Sequence, residues 1–112
     1  MKKIEAIIRP SKLEEVKEAM KKTNISGITI SQVMGCGKQH GWSENYDESE
    51  ELINILSKIE IKMIIDDDKL EEVIELITSI ARTGEIGDGK IFVTDISDCI
   101  RIRTGERGEI AL

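Results

Sequence analysis

The chain repeats itself once, and the repeat dictates the order of its elements. Residues 3–20, KIEAIIRPSKLEEVKEAM, resemble residues 60–77, EIKMIIDDDKLEEVIELI, through a shared KLEEV at 12–16 and 69–73. With that anchor Ile4, Ile7 and Ile8 fall on Ile61, Ile64 and Ile65. Each copy opens with an apolar run of strand length, breaks at polar residues (Pro10-Ser11; Asp66-Asp67-Asp68) and continues as a helical pattern. Leu13, Val16 and Met20 share one helical face; Leu70, Val73, Ile74 and Ile77 share the corresponding face of the second copy. Ser11 and Asp68 are the predicted N-caps, each followed three residues later by an acid, Glu14 and Glu71.

A second strand-like run follows each helix, GITISQVMG at 27–35 and GKIFVTDI at 89–96. The order is then βαββαβ, an α+β ferredoxin-like sandwich with two helices on one face of an antiparallel sheet. At 112 residues this is one domain with room for a real core. Trp42, Tyr46 and Phe92 are its only aromatics, so that core must be aliphatic. The other sheet face is left without cover, which points to an oligomer. A formal net charge of −6 argues against a general nucleic-acid or anionic-membrane binder. No leader and no apolar run of spanning length is visible, so the cytoplasm is the expected location. Cys36 and Cys99 lack metal-ligand spacing and are expected to be reduced and structural, and the lone His40 excludes a multi-histidine metal site.

Aligning the copies isolates what is extra. Residues 36–57, CGKQHGWSENYDESEELINILS, are far more than a hairpin needs, and long loops in compact domains are usually functional or disordered. From Glu44 to Glu51 the stretch carries Glu44, Asp47, Glu48, Glu50 and Glu51 against no cation, which predicts a solvated segment. Its base, GCGKQHG at 35–41, sets Lys38 and Gln39 between glycines.

Two further motifs concern anions. Gly84 to Lys90 fits the first seven positions of the phosphate-loop pattern G-x-x-x-x-G-K, but Ile91 stands where Ser or Thr would reach magnesium. The order here is also helix–loop–strand rather than strand–loop–helix, with Gly84 predicted at C′ of a helix ending near Arg82. Gly87 and Gly89 then offer backbone N–H groups to an anion beside Lys90, or simply make a tight turn. In IRIRTGE, 100–106, an extended backbone would put Arg101 and Arg103 on one side. That arrangement suits an anion clamp or surface ion pairs equally well.

Together these stretches resemble the PII signal-transduction family, the nitrogen-regulatory proteins. The likeness covers nearly the whole chain and rests on KKIEAIIRPSKLEEVKEAM, GCGKQHG, ARTGEIGDGKIFVTDI and IRIRTGE. The resemblance implies a homotrimer of ferredoxin-like subunits in which ATP and ADP compete for clefts between neighbours. Three segments carry the function: a T-loop at about 36–57, a nucleotide-binding loop at about 82–90 and a C-terminal loop at about 101–112. It implies nucleotide contacts at Gly37, Lys38, Gln39, Gly87, Asp88, Gly89, Lys90, Arg101 and Arg103, with Thr29 and the backbone around Ile64 near the adenine. It also implies Mg²⁺ and 2-oxoglutarate bound with ATP, using Gln39 as a metal ligand and Gln39, Gly41 and Lys58 around the effector. The T-loop would dock onto an enzyme, a transcriptional regulator or an ammonium channel. No catalytic residue, nucleic-acid partner or membrane insertion is implied.

The departures from the family pattern lie mainly in the T-loop. Many relatives carry R-G-A-E-Y across 47–51; here Asp47, Glu48, Ser49, Glu50 and Glu51 stand there, which removes the nucleotidylylated tyrosine. Ser49 matches a serine phosphorylated in some photosynthetic relatives. The five acids favour a basic target surface. Position 62, often Glu near the ribose, is Lys62. The alternatives are a nitrogenase-associated regulator of the same family, a divergent interaction module without 2-oxoglutarate sensing, or an enzyme on the same scaffold.

Overall fold

A computed structural model describes residues 1–36 and 55–112. Among them the strands are β1 (Lys2–Ile8), β2 (Thr29–Gly35), β3 (Leu56–Ile65) and β4 (Ile91–Asp95), and the helices are α1 (Leu13–Lys21) and α2 (Leu70–Ala81). The sheet runs β2-β3-β1-β4 with every neighbouring pair antiparallel, so the two copies of the repeat interleave at its centre. Ile4 faces Met63 and Ala6 faces Ile61 across the β1–β3 pair. This is the ferredoxin-like α+β sandwich the repeat predicts.

The period-two pattern decides which face is buried. Ile4, Ala6 and Ile8 of β1 and Ile59, Ile61, Met63 and Ile65 of β3 turn toward the helices, where Val16, Met20, Val73 and Ile77 meet them. Each of the Ile, Val and Met side chains among them contributes about 1.5–3 kcal/mol when fully buried. The predicted helical faces are therefore the packed ones, with Leu13, Leu70 and Ile74 at their margins.

Both helices begin differently from the sequence expectation. A 3₁₀ turn, Pro10–Lys12 or Asp67–Lys69, precedes each one, and neither Ser11 nor Asp68 makes a capping bond. The turn itself supplies the first backbone bonds, Lys12 N–H to the Arg9 carbonyl at 3.0 Å and Lys69 N–H to the Asp66 carbonyl at 3.1 Å. Asp67 instead receives the amino group of Met1 at 2.9 Å.

The sheet face away from the helices carries charge at its centre. Lys3 bonds Glu5 at 2.7 Å, Lys62 bonds Glu60 at 3.1 Å, and Glu5 stands opposite Lys62 in the register. A ladder of alternating charge thus crosses its centre. Strand β3 begins at Leu56, paired with Gly35, because the ladder with β2 continues past the predicted loop boundary. Leu56 and Ser57 consequently belong to the sheet rather than to the 36–57 loop.

Candidate functional site

The site grows out of the turn that joins α2 to β4. Helix α2 stops at Ala81, Arg82 is extended, and Gly84 has φ of +86°. Gly84 therefore lies beyond C′, and it belongs to a loop closed by a side chain rather than to a helix cap. That side chain is Asp88. Its carboxylate accepts the Thr83 hydroxyl at 2.6 Å and the N–H groups of Thr83 and Gly84, both at 2.9 Å. Arg9, at the end of β1, adds a bond from Nε to Asp88 at 3.1 Å and one from Nη2 to the Ile86 carbonyl at 3.0 Å.

Two glycines are needed here for separate reasons. Gly87 has φ of +109°, a left-handed conformation that side chains resist. Gly89 passes so close to β1 that a Cβ would overlap the Ile7 carbonyl group. The approach is sealed by the Ile7 N–H donating to the Lys90 carbonyl at 2.8 Å.

Lys58 reaches across from β3 and donates to the Gly87 carbonyl at 2.6 Å. A cleft of about 450 Å³ opens there, lined by Ile7, Gly35, Lys58, Gly87, Lys90 and Phe92 among others. No acceptor among the described residues takes the N–H groups of Gly87 and Gly89. Lys58, Lys90 and these amides give the cleft a lining of donors and positive charge, the chemistry that suits an anion. Cys36 also lines it and is exposed, so it is a free thiol at a site rather than a structural residue.

A second groove, about 360 Å³, joins Thr29 and Ile64 with Gly27, Lys3, Lys62 and Leu112. Thr29 and Gly35 stand at opposite ends of β2, roughly 20 Å apart at about 3.3 Å per residue. The predicted adenine and phosphate positions thus line separate cavities of one chain.

The arginine pair is not arranged as an extended segment would have it. Residues 101–105 make a turn, closed by the Gly105 N–H on the Arg101 carbonyl at 2.7 Å. Arg101 is spent on structure, donating to Glu106 at 2.9 Å and to the Ile110 and Leu112 carbonyls, both at 3.1 Å. This pins the C-terminal turn beside the Thr29 groove. Arg103 is exposed on the turn. Gly37, Lys38, Gln39, Gly41 and Ser49 lie outside the described residues.

Asp88, expected as a nucleotide contact, uses its carboxylate within its own loop. The Thr83 hydroxyl first, then the Thr83 and Gly84 N–H groups and Arg9, hold its acid well below the usual aspartate range. A depressed folded-state value means that the stabilisation is complete above the ordinary value of about 3.9 and is lost as pH falls toward the lower one. Amide shifts of Thr83 and Gly84 are therefore expected to stay constant from pH 7 to about 4 and to move only below that. A transition centred near 4 in an NMR titration would contradict this bonding.

Sequence reasoning missed Arg9. The signal was present: in the repeat Arg9 falls on Asp66, a reversal of charge between otherwise matching strand ends.

Comparison with known proteins places the chain. The family model for nitrogen regulatory protein P-II matches residues 1–106. The chain is 53% identical over 112 residues, the full length of both, to a nitrogen regulatory protein P-II of Porphyra purpurea. It is 55% identical over 106 residues, 95% of each chain, to that of Pyropia yezoensis, and 49% identical over 112 residues, all of both chains, to that of Azospirillum brasilense.

Proposed function

The chain belongs to the nitrogen regulatory protein P-II family, and we propose that it acts as a sensor of ATP, ADP and 2-oxoglutarate rather than as an enzyme. The observation that carries this reading is the cleft lined by Lys58, Lys90, Gly87 and Gly89, whose glycine N–H groups have no acceptor among the described residues. Backbone amides and two ammonium groups suit a polyphosphate, which spreads its charge over many oxygens. Among the described residues of the cleft no nucleophile is paired with a base.

The adenine belongs in the Thr29–Ile64 groove. Because that groove and the loop cleft are separate on one chain, the nucleotide is shared between copies of a homotrimer. The loop of one copy then holds phosphates and the groove of the next holds the base. Arg101 holds Leu112 at the edge of that groove, and Arg103 is exposed on the same turn.

Magnesium fits this arrangement only as part of a ligand complex. Among the described residues the charged side chains of the cleft are Lys58, Lys90 and Asp88, and Asp88 is occupied within its loop, so a bare divalent ion finds no free carboxylate among them. The nucleotide phosphates, the 2-oxo acid and the Gln39 carbonyl offer the hard oxygens that Mg²⁺ prefers. Bound so, the ion neutralises phosphate charge and links nucleotide to effector. Lys58, which lines the same cleft, would meet the distal carboxylate of 2-oxoglutarate. Ligand-dependent states of the segment from 36 to 57 would then select an enzyme, a regulator or an ammonium channel of nitrogen metabolism as target, with each ligand favouring one state.

Calorimetric titration of the intact protein with Mg-ATP, alone and with 2-oxoglutarate, tests this. Binding of Mg-ATP is expected, tightened at least tenfold by the effector, a coupling of about 1.4 kcal/mol. Equal affinity with and without 2-oxoglutarate would remove the effector from the reading; no nucleotide binding would remove the sensor.

A further inference from the structure

We propose that Arg9 is the residue that sets the 83–90 loop for a polyphosphate ligand, acting from the end of β1 as a positioning residue. This rests on the nucleotide reading above and extends it to a side chain outside the cleft.

Arg9 lies on the sheet side of the loop. Its fork engages two different groups, the Asp88 carboxylate through Nε and the Ile86 carbonyl through Nη2. The backbone of Gly87 lies against the guanidinium, so that a Cβ there would stand 2.9 Å from Nη2. Peptide planarity turns this contact into aim. With the Ile86 carbonyl held toward Arg9, the Gly87 N–H must point the opposite way. Lys58 fixes the next carbonyl, that of Gly87, from the other side. Asp88 carries the restraint to the far end of the loop through the Thr83 and Gly84 N–H groups. One arginine just past the end of β1 thereby fixes both ends of a glycine-containing turn before any ligand arrives.

A solvated ion pair would do none of this, since exposed pairs contribute little. The Arg9 and Asp88 side chains are 28% and 25% exposed, and both polar ends of the contact are multiply bonded. Lysine could keep the charge and not the fork, because one ammonium cannot hold the carboxylate and the carbonyl in the same plane.

The test uses the full-length protein and Mg-ATP. Affinity is measured by calorimetry for wild type, Arg9→Lys, Arg9→Met, Asp88→Asn and the Arg9→Met/Asp88→Asn double variant. Hydrogen exchange of the Thr83 and Gly84 amides is followed without ligand, with the Ile4 and Ile61 amides as a control for global folding. Arg9→Met is expected to weaken Mg-ATP about tenfold or more and to speed exchange at Thr83 and Gly84, with the control amides unchanged. Arg9→Lys should recover part of the affinity, and the double variant should lose less than the sum of the single losses. Wild-type affinity in Arg9→Met, or simple addition in the double variant, would overturn the proposal. Should wild type bind no nucleotide, the sensor reading fails by itself. The exchange data then decide for Arg9: faster loop exchange in Arg9→Met supports it, and unchanged exchange overturns it.

Discussion

Gly89→Ala is expected to cripple both the fold and the ligand site. A Cβ at this position would occupy the space of the Ile7 carbonyl, and that carbonyl belongs to the central strand of the sheet. Backbone cannot swing aside as a side chain can. The loop must lift, and the bond from the Ile7 N–H to the Lys90 carbonyl goes with it. Overpacking with loss of a hydrogen bond amounts to roughly 3 kcal/mol, or a drop in Tm of about 10 °C or more in a domain of this size. Mg-ATP affinity should fall by at least tenfold as the amides of the loop lose their common direction. Gly84→Ala is the control. Gly84 also needs a left-handed φ, but nothing lies within 4 Å of its added Cβ, so its cost is about 1–2 kcal/mol. Melting curves of the two variants separate conformational strain from steric collision; equal melting of Gly89→Ala and wild type would refute the close approach.

Lys58→Met is expected to uncouple the effector from the nucleotide. The half-buried ammonium holds the Gly87 carbonyl at 2.6 Å and is a cation in the same cleft as Lys90. A hydrogen bond of this charged kind contributes about 1.5–3 kcal/mol, so its loss should weaken 2-oxoglutarate binding roughly ten- to hundredfold. Mg-ATP alone should lose only a few-fold in affinity, because Arg9 still fixes the preceding carbonyl. Methionine fills the volume of the lysine stem, so the sheet should be undisturbed. The measurement is the ratio of Mg-ATP affinities with and without 2-oxoglutarate. A ratio unchanged from wild type would show that Lys58 serves the loop and not the effector.

These two residues show how far the sequence could be read. Gly89 was visible as a member of a glycine-rich turn, and Lys90 and Lys58 as cations in suggestive places. Nothing in the string said that Gly89 touches Ile7, more than eighty positions away, because that contact follows from β4 pairing with β1. Arg9 is the reverse case. It reads as the polar end of a strand until the sheet brings the 83–90 loop against it. Arg101 was legible as a possible anion ligand, yet its bonds to the Ile110 and Leu112 carbonyls follow from a turn that alternation of Ile and Arg disguised as a strand.

The repeat, its two periods and the apolar faces of the helices were determined by the sequence alone. They rest on local rules, period two for a strand and 3.6 for a helix, which operate between near neighbours. The order of elements along the chain and the ferredoxin-like class followed from them, since two βαβ units sharing one core have few ways to interleave. The direction of the loop amides, the task of Asp88 and the reach of Arg9 and Lys58 were decided only by tertiary structure. Each depends on residues far apart in the chain meeting within hydrogen-bond distance, and such distances are set by packing rather than by spacing.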